Sequence, residues 1–229
     1  MKPSLPTLLS LNAGYVDTAG FLALQGLFTA HVTGNFVTFG AAAVHGTSGA
    51  LAKLLALPVF CVVVIGVRLL EYGLPRLGLP ALPTMLALKL VLLGVGAVLA
   101  IVFGPFADGD ARWAIATGMV LVAAMAIQNG LHRVHLPDAP PSTLMTGSST
   151  QAMLDIADFI RGLPDDRRPA VRARLARLSI AIVAFAIGCG LAAGCFVVLG
   201  MWCFVIPPVV AAAALLADPT RPPSTIEKG

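Results

Sequence analysis

Charge is what this sequence has least of. Only 11% of its 229 residues are Asp, Glu, Lys or Arg, against roughly a quarter in an average soluble domain. A soluble surface built from so few charges would not stay dispersed, which excludes an ordinary soluble domain. With 58% apolar residues, an intrinsically disordered chain is excluded too, because such chains stay open for want of apolar surface to bury. The net charge of +4 does not make the chain a nucleic-acid binder. Most of its Arg sits in one short run between apolar segments, where a membrane protein puts it.

Catalytic signatures are missing as well. There is no G-x-S-x-G, no H-E-x-x-H and no P-loop, so the chain is not expected to be an enzyme. An aspartate dyad would need a second deep carboxylate, for which Asp155 and Asp158 are candidates only if the second short helix is buried. No C-x-x-C occurs. Cys61, Cys189, Cys195 and Cys203 all lie in apolar segments and read as small hydrophobes. His132 and His135, with Asp138 beyond, lack the third or fourth ligand a zinc site needs, so neither metal nor cofactor is expected. No Pro/Ser/Gly-rich linker divides the chain, and it reads as a single transmembrane domain over 1–229.

Long apolar runs are what is present. A helix needs ~20 mainly apolar residues to cross ~30 Å of hydrocarbon. Six segments qualify: Leu5–Phe28, Leu51–Tyr72, Leu82–Phe103, Arg112–Leu131, Leu178–Leu199 and Met201–Ala217. The first is read as a span and not as a cleaved leader, being long, containing Asp17 and lacking a clear small-x-small site. Two further apolar pieces, Gly34–Val44 and Gly147–Ile160, are too short to cross. With six spans and the N-terminus inside, twelve basic residues fall on the inner side and two, Lys53 and Arg112, on the outer. Eight spans would give eleven against three, so charge alone leaves the count open. Length favours six: eleven residues of helix cover only ~16 Å.

The short pieces open on Thr33-Gly34-Asn35 and Thr146-Gly147-Ser148, about half the chain apart. Each half (5–104 and 112–217) has a long span, a Thr-Gly turn, a short helix and two more spans. Three spans per half is odd, so the second half would enter from the opposite face, an inverted repeat common in secondary transporters. The expected fold is therefore an all-α membrane protein of six transmembrane helices plus two short re-entrant half-helices in an inverted 3+3 arrangement. Phe28–Val32 and Pro140–Met145 would return the chain to mid-membrane. Thr33 or Asn35, and Thr146 or Ser148, would cap the short helices. Two helix N-termini meeting near the midplane would favour an anion. The alternative is that both Thr-Gly turns are plain caps on surface loops.

Gly14-Tyr15-Val16-Asp17-Thr18, then Phe28-Thr29-Ala30-His31-Val32-Thr33-Gly34-Asn35, together with Gln128-Asn129-Gly130 and Thr146-Gly147, resemble the signature of the YoaK-like family, bacterial integral membrane proteins with a domain of unknown function. The resemblance covers almost the whole chain and implies a bacterial inner-membrane protein. It implies no substrate. His31 stands where family members often carry Asn.

Ionisable groups inside a span usually face the protein interior and mark a pathway. Asp17 and His31 are the candidate proton-coupling residues; a structural hydrogen-bonding role for Asp17, to Asn12 or to backbone near the turn, stays open. Asp17 and Gln25, eight residues apart, share a helix face. Thr33, Gly34, Asn35, Thr146, Gly147, Ser148, Gln128 and Asn129 are the candidate solute-binding residues. Lys89 is expected to snorkel to the inner face. Gly190 and Gly194 permit a close helix approach, inside the subunit or at a dimer seam. The Arg161–Arg177 cluster reads as an interfacial helix on anionic lipid or a solvated loop. The expected function is a small secondary transporter of a small anionic or hydrogen-bonding solute, with both termini cytoplasmic, proton coupling as an option, and membrane lipid and a second copy of the chain as further partners. A non-transporting scaffold or channel is the alternative.

Overall fold

The computed structural model describes residues 4–217. Lys2, Arg221 and Lys228, counted above on the inner side, lie outside the described residues. Among those residues the chain forms eight α-helices and no strand: α1 (Leu5–Ala23), α2 (Asn35–His45), α3 (Ala50–Gly73), α4 (Ala81–Phe103), α5 (Arg112–His135), α6 (Met145–Arg161), α7 (Arg168–Leu199) and α8 (Ile206–Leu216). A 3₁₀ turn, Val32–Gly34, leads into α2, and a 3₁₀ limb, Gly200–Val205, leads into α8.

Four helical stretches are long and apolar enough to cross a membrane: Ala50–Leu77, Ala81–Phe103, Arg112–His135 and Arg168–Leu216. The protein is a helical membrane protein. The last stretch, 49 residues, holds α7 and a return limb, because Gly200 at φ 55° ends α7 and turns the chain back. The helix α1 falls outside this set through its polar residues Ser10, Asn12, Asp17 and Thr18. Its position explains them: 13 of its 19 residues are buried, so protein and not lipid surrounds them. The helix α5 is similar, with 13 of 24 buried, whereas α7 buries only 6 of 32. Among the long helices, α1 and α5 bury the most polar side chains (Ser10, Asn12 and Asp17; Thr117, Gln128 and His132), and the others expose Val, Leu and Ile on their outer faces.

Side-chain contacts fix the directions. Thr7 shares a pocket with Arg177 and Ile180, and Thr18 and Phe21 share one with Phe185 and Cys189, so α1 and α7 run parallel. They touch through backbone: a Cβ on Gly14 would sit 2.1 Å from the Phe185 carbonyl oxygen, and one on Gly188 2.1 Å from that of Leu11. The helices α3 and α5 are parallel as well. The Asp110 carboxylate accepts the Gly49 and Ala52 N–H groups at the start of α3 (3.0 and 3.1 Å), and Gly130 meets Val67 near the other end. Phe103 stacks on Trp113 and Lys89 reaches Gln128, so α4 and α5 are antiparallel. Tyr15 donates to the Cys203 carbonyl (3.0 Å) while Leu5, Leu8 and Leu9 pack with Ala214, so α1 and α8 are antiparallel. Gly104 lies beside Met201 and Met85 clusters with Ala214, which sets α4 antiparallel to α8. Leu27 against Gly118 and Leu9 against Gln128 set α1 antiparallel to α5.

Several expectations need correcting. Inside the subunit the close approach uses Gly14 and Gly188 and not Gly190 and Gly194, where a Cβ would meet nothing within 4 Å; both face outward from the bundle, which leaves that pair to the dimer-seam option. Gln25 is not on the Asp17 face, since α1 ends at Ala23 and Gln25 turns at φ 54° to donate to the Phe106 carbonyl (3.0 Å). Lys89 does not snorkel: it is fully buried, because α4 and α5 meet in a register that puts Gln128 opposite it.

Candidate functional site

After Ala23 the chain doubles back along α1 until Thr29–His31 lies level with Asp17, six residues before the end of the helix and so about 9 Å in from it. One carboxylate oxygen of Asp17 accepts the N–H groups of Thr29 (2.8 Å), Ala30 (2.7 Å) and His31 (3.4 Å). The other lies 2.8 Å from His31 Nδ1. Buried donors need partners, and one carboxylate supplies them for a whole returning loop. Asn35 closes the loop by accepting from the Phe28 N–H (2.9 Å) and donating to its carbonyl (2.8 Å). Asp17 therefore bonds to backbone near the turn, and not to Asn12, whose two side-chain polar atoms are buried without a partner. His31 is partly exposed in a pocket of about 380 Å³ with Thr18, Phe21, Phe28, Phe185 and Cys189.

The second half repeats this tie without charge. Asn129 on α5 accepts from the Thr143 hydroxyl (2.6 Å). Asp17 to His31 and Asn129 to Thr143 are both separations of fourteen residues. Beside it, the Gln128 amide donates to Ser142 Oγ and to the Leu9 carbonyl (2.9 Å each) and accepts from Lys89 Nζ. Lys89 has no carboxylate partner among the described residues. Asn129, His132, Arg133, Ser142 and Thr143 line a pocket of about 150 Å³ at the Arg-rich end of the bundle. His132 Nδ1 is buried there without a hydrogen-bond partner.

The Thr-Gly residues are less involved than expected. No side chain caps either short helix. Asn35 is spent on Phe28, and Thr146 and Ser148 fall inside α6, where Ser148 donates back to the Leu144 carbonyl (3.5 Å). Thr33, Thr146 and Gly147 are exposed, and Gly34 sits under the Phe28 ring. The two loops line separate pockets. They do not share one spot: Gln128–Ser142 is level with Leu9, eight residues or about 12 Å along α1 from Asp17. The structure thus brings together Asp17, His31 and Asn35, and separately Gln128 and Asn129 with Ser142 and Thr143. Ser142, Thr143, His132, Arg133 and Lys89 had no solute role in the sequence reading. The equal fourteen-residue separations were the signal for Thr143.

At the Arg-rich end, Asp155 of α6 takes a two-pronged bridge from Arg174 of α7 (3.0 and 2.6 Å) and a bond from Gln151 (2.8 Å). The guanidinium, bonded to Asp155, holds its carboxyl below the usual carboxylate range. Among the described residues no group of three or more His, Cys, Asp or Glu could hold a metal.

The model of the family described as "Protein of unknown function (DUF1275)" matches residues 5–217. The chain belongs to that family. The match agrees with the YoaK-like resemblance of the Asp17 and Thr-Gly blocks, and it spans both halves and every described helix. No curated protein and no solved structure matches the chain.

Proposed function

We propose that this DUF1275 protein is a small secondary carrier with six crossings (α1, α3, α4, α5, α7 and the Gly200–Leu216 limb) built as an inverted 3+3 repeat. The observation that carries the reading is the exchange symmetry of the packing. Swapping halves maps α1, α2, α3 and α4 onto α5, α6, α7 and α8. Under that swap the parallel pair α1–α7 becomes the parallel pair α5–α3, and the antiparallel pair α1–α8 becomes α5–α4. The pair α2–α3 becomes α6–α7, while α1–α5 and α4–α8 map onto themselves. A pseudo-two-fold axis in the membrane plane has these consequences, and it makes the two faces of the protein structurally equivalent, as alternating access requires.

The solute is a small anionic or strongly hydrogen-bonding molecule. On this reading it enters from the cytoplasm, which the positive-inside bias assigns to the Arg-rich end: nine described Lys and Arg residues lie there, against two at the opposite end. The pocket at Asn129, His132, Arg133, Ser142 and Thr143 offers a cation, hydroxyls and a free imidazole nitrogen, and its about 150 Å³ suits a few heavy atoms. Lys89 and Gln128 lie just beyond, toward mid-membrane, where the Lys89 amine, which has no carboxylate partner among the described residues, would favour an anion passing through. On the far side His31, held by Asp17, faces the other pocket and is the exchangeable proton site. The role is transport and not catalysis, in the bacterial inner membrane.

One observation favours a second reading, a non-transporting scaffold: Leu9, Met85, Leu86, Ile127 and Leu131 pack in one apolar cluster on the helices that carry Lys89 and Gln128, and the two pockets share no lining residue. A thermal-shift screen of the purified protein against small carboxylates, inorganic anions and nucleobases separates the two. The carrier reading expects a hit that raises Tm with concentration, that is lost in His132→Ala and Asn129→Ala, and that is taken up by proteoliposomes. A hit unaffected by both variants, or binding without uptake, favours the scaffold.

A further inference from the structure

We propose that the groove between the end of α6 and the start of α7 is a binding site for an anionic diacyl phospholipid. The groove, about 600 Å³, is lined by Phe159, Arg168, Pro169, Arg172, Ala173 and Ala176. Its floor is apolar and its rim cationic, the pattern of a phospholipid and not of a soluble anion. The rim charge is available. Arg174 is committed to Asp155, whereas Arg172 has no hydrogen-bond or ion-pair partner among the described residues, and Arg168 meets only the exposed Asp165 (3.1 Å) and the Leu163 carbonyl.

The depth fits. The apolar part of α7 begins at Leu178, so Arg172, six residues earlier, sits about 9 Å beyond the hydrocarbon edge, near the outer limit of the headgroup layer, where its long side chain reaches the phosphates. Ala176 is about 3 Å from that edge, where acyl chains begin. The outer face of α6 exposes Met153, Leu154 and Ile160, so the helix that carries Phe159 is itself apolar toward lipid. The Asp155–Arg174 bridge fixes the two helices at the spacing that leaves the groove open. Lipid bound there would brace α6 against α7, the only tie the short helix has to the bundle besides that bridge and its own packing.

The test uses the full chain in detergent, titrated with phosphatidylglycerol and, separately, with phosphatidylcholine, and read by native mass spectrometry and thermal shift. Phosphatidylglycerol is expected to bind and raise Tm, and phosphatidylcholine to do so far less. Arg172→Gln is expected to weaken binding about fivefold and Arg168→Gln with Arg172→Gln about 25-fold, at about one surface-charge increment per arginine. Ala176→Leu keeps every charge but fills the floor, and is expected to weaken phosphatidylglycerol as well. Arg76→Gln, a basic residue away from the groove, is expected to leave binding unchanged. Equal binding of both lipids, full competition by inorganic phosphate, or loss in Arg76→Gln equal to that in Arg172→Gln would overturn the proposal. So would unchanged binding in Ala176→Leu.

Discussion

The two returning loops do the same job with different chemistry. In the first half a carboxylate, Asp17, gathers three backbone N–H groups and an imidazole. In the second a neutral amide, Asn129, takes one hydroxyl, and the neighbouring Gln128 ties Ser142 while carrying the buried Lys89. The loop held by a carboxylate has the His31 imidazole beside it, and the loop held by amides has the Lys89 amine. The difference teaches that the two loops divide labour: Asp17 is spent on holding a loop and on orienting His31, while Gln128 holds its loop and also receives the buried Lys89. The short helices differ as well. The helix α6 packs on α7 and is bridged to it midway by Asp155–Arg174, whereas α2 packs on α3 and is tied at its base, where Asn35 meets Phe28.

The sharpest way to break this comparison is at the buried cation. Removing Gln128 (Gln128→Leu) takes the acceptor from the buried Lys89 amine and is expected to destabilise the protein by about 3 kcal/mol, whereas Lys89→Met, which removes the amine at similar volume, is expected to cost about 1 kcal/mol. Thermal unfolding in detergent reads both. On the carrier account Lys89→Met also abolishes uptake despite its intact fold. Next comes the helix seam. Gly14→Ala pushes a Cβ into the Phe185 backbone and is expected to cost about 3 kcal/mol, while Gly130→Ala, which meets only the Val67 side chain at 2.8 Å, is expected to cost about 1 kcal/mol. Equal losses would mean that the two parallel seams are alike and not, as read here, tight and loose.

At the loops, Asp17→Ala leaves several buried N–H groups without an acceptor and is expected to cost about 2–3 kcal/mol, against about 1 kcal/mol for Asn129→Ala. Tm values of the two variants in one detergent give the ratio. The smallest effect is on α6. The Asp155 carboxyl is held low in the folded state, so the bridge contributes fully above the ordinary carboxylate value near 3.9 and is lost as pH falls through the lowered one. Proteolysis in the 162–167 loop is expected to rise only in strong acid, and in Arg174→Gln at every pH.

Much of this frame was legible in the residues. The six long segments and two short ones reappear as helices, since apolar length is a property of the sequence that lipid reads directly. The polar ties were half legible. Asp17, Asn35, Gln128 and Asn129 stood out as polar residues in or beside spans, but their partners depended on how far each loop doubles back, which tertiary packing decides. Lys89 was misread because its partner Gln128 is set by the α4–α5 register, which nothing local encodes. Within the subunit Gly14 and Gly188 make the close approach and not Gly190 and Gly194, because which small residues meet a neighbouring helix of the same chain is decided by how the helices pack. The capping roles given to Thr33 and Thr146 failed for a related reason: the helices begin in 3₁₀ or bent backbone, and the polar side chains nearby are used elsewhere or face outward.

The central claim is that α2 and α6 dip and return without crossing, so that the halves are inverted. Thr47 after α2 and Asp165 after α6 are both exposed, and each can be replaced singly by cysteine in a background lacking Cys61, Cys189, Cys195 and Cys203. Labelling with a membrane-impermeant thiol reagent in right-side-out and inside-out vesicles then reports the side of each. Two dipping helices put them on opposite sides, Thr47→Cys labelled from outside and Asp165→Cys from the cytoplasmic face. Two crossing helices would put both on the same side, and that result would contradict the account.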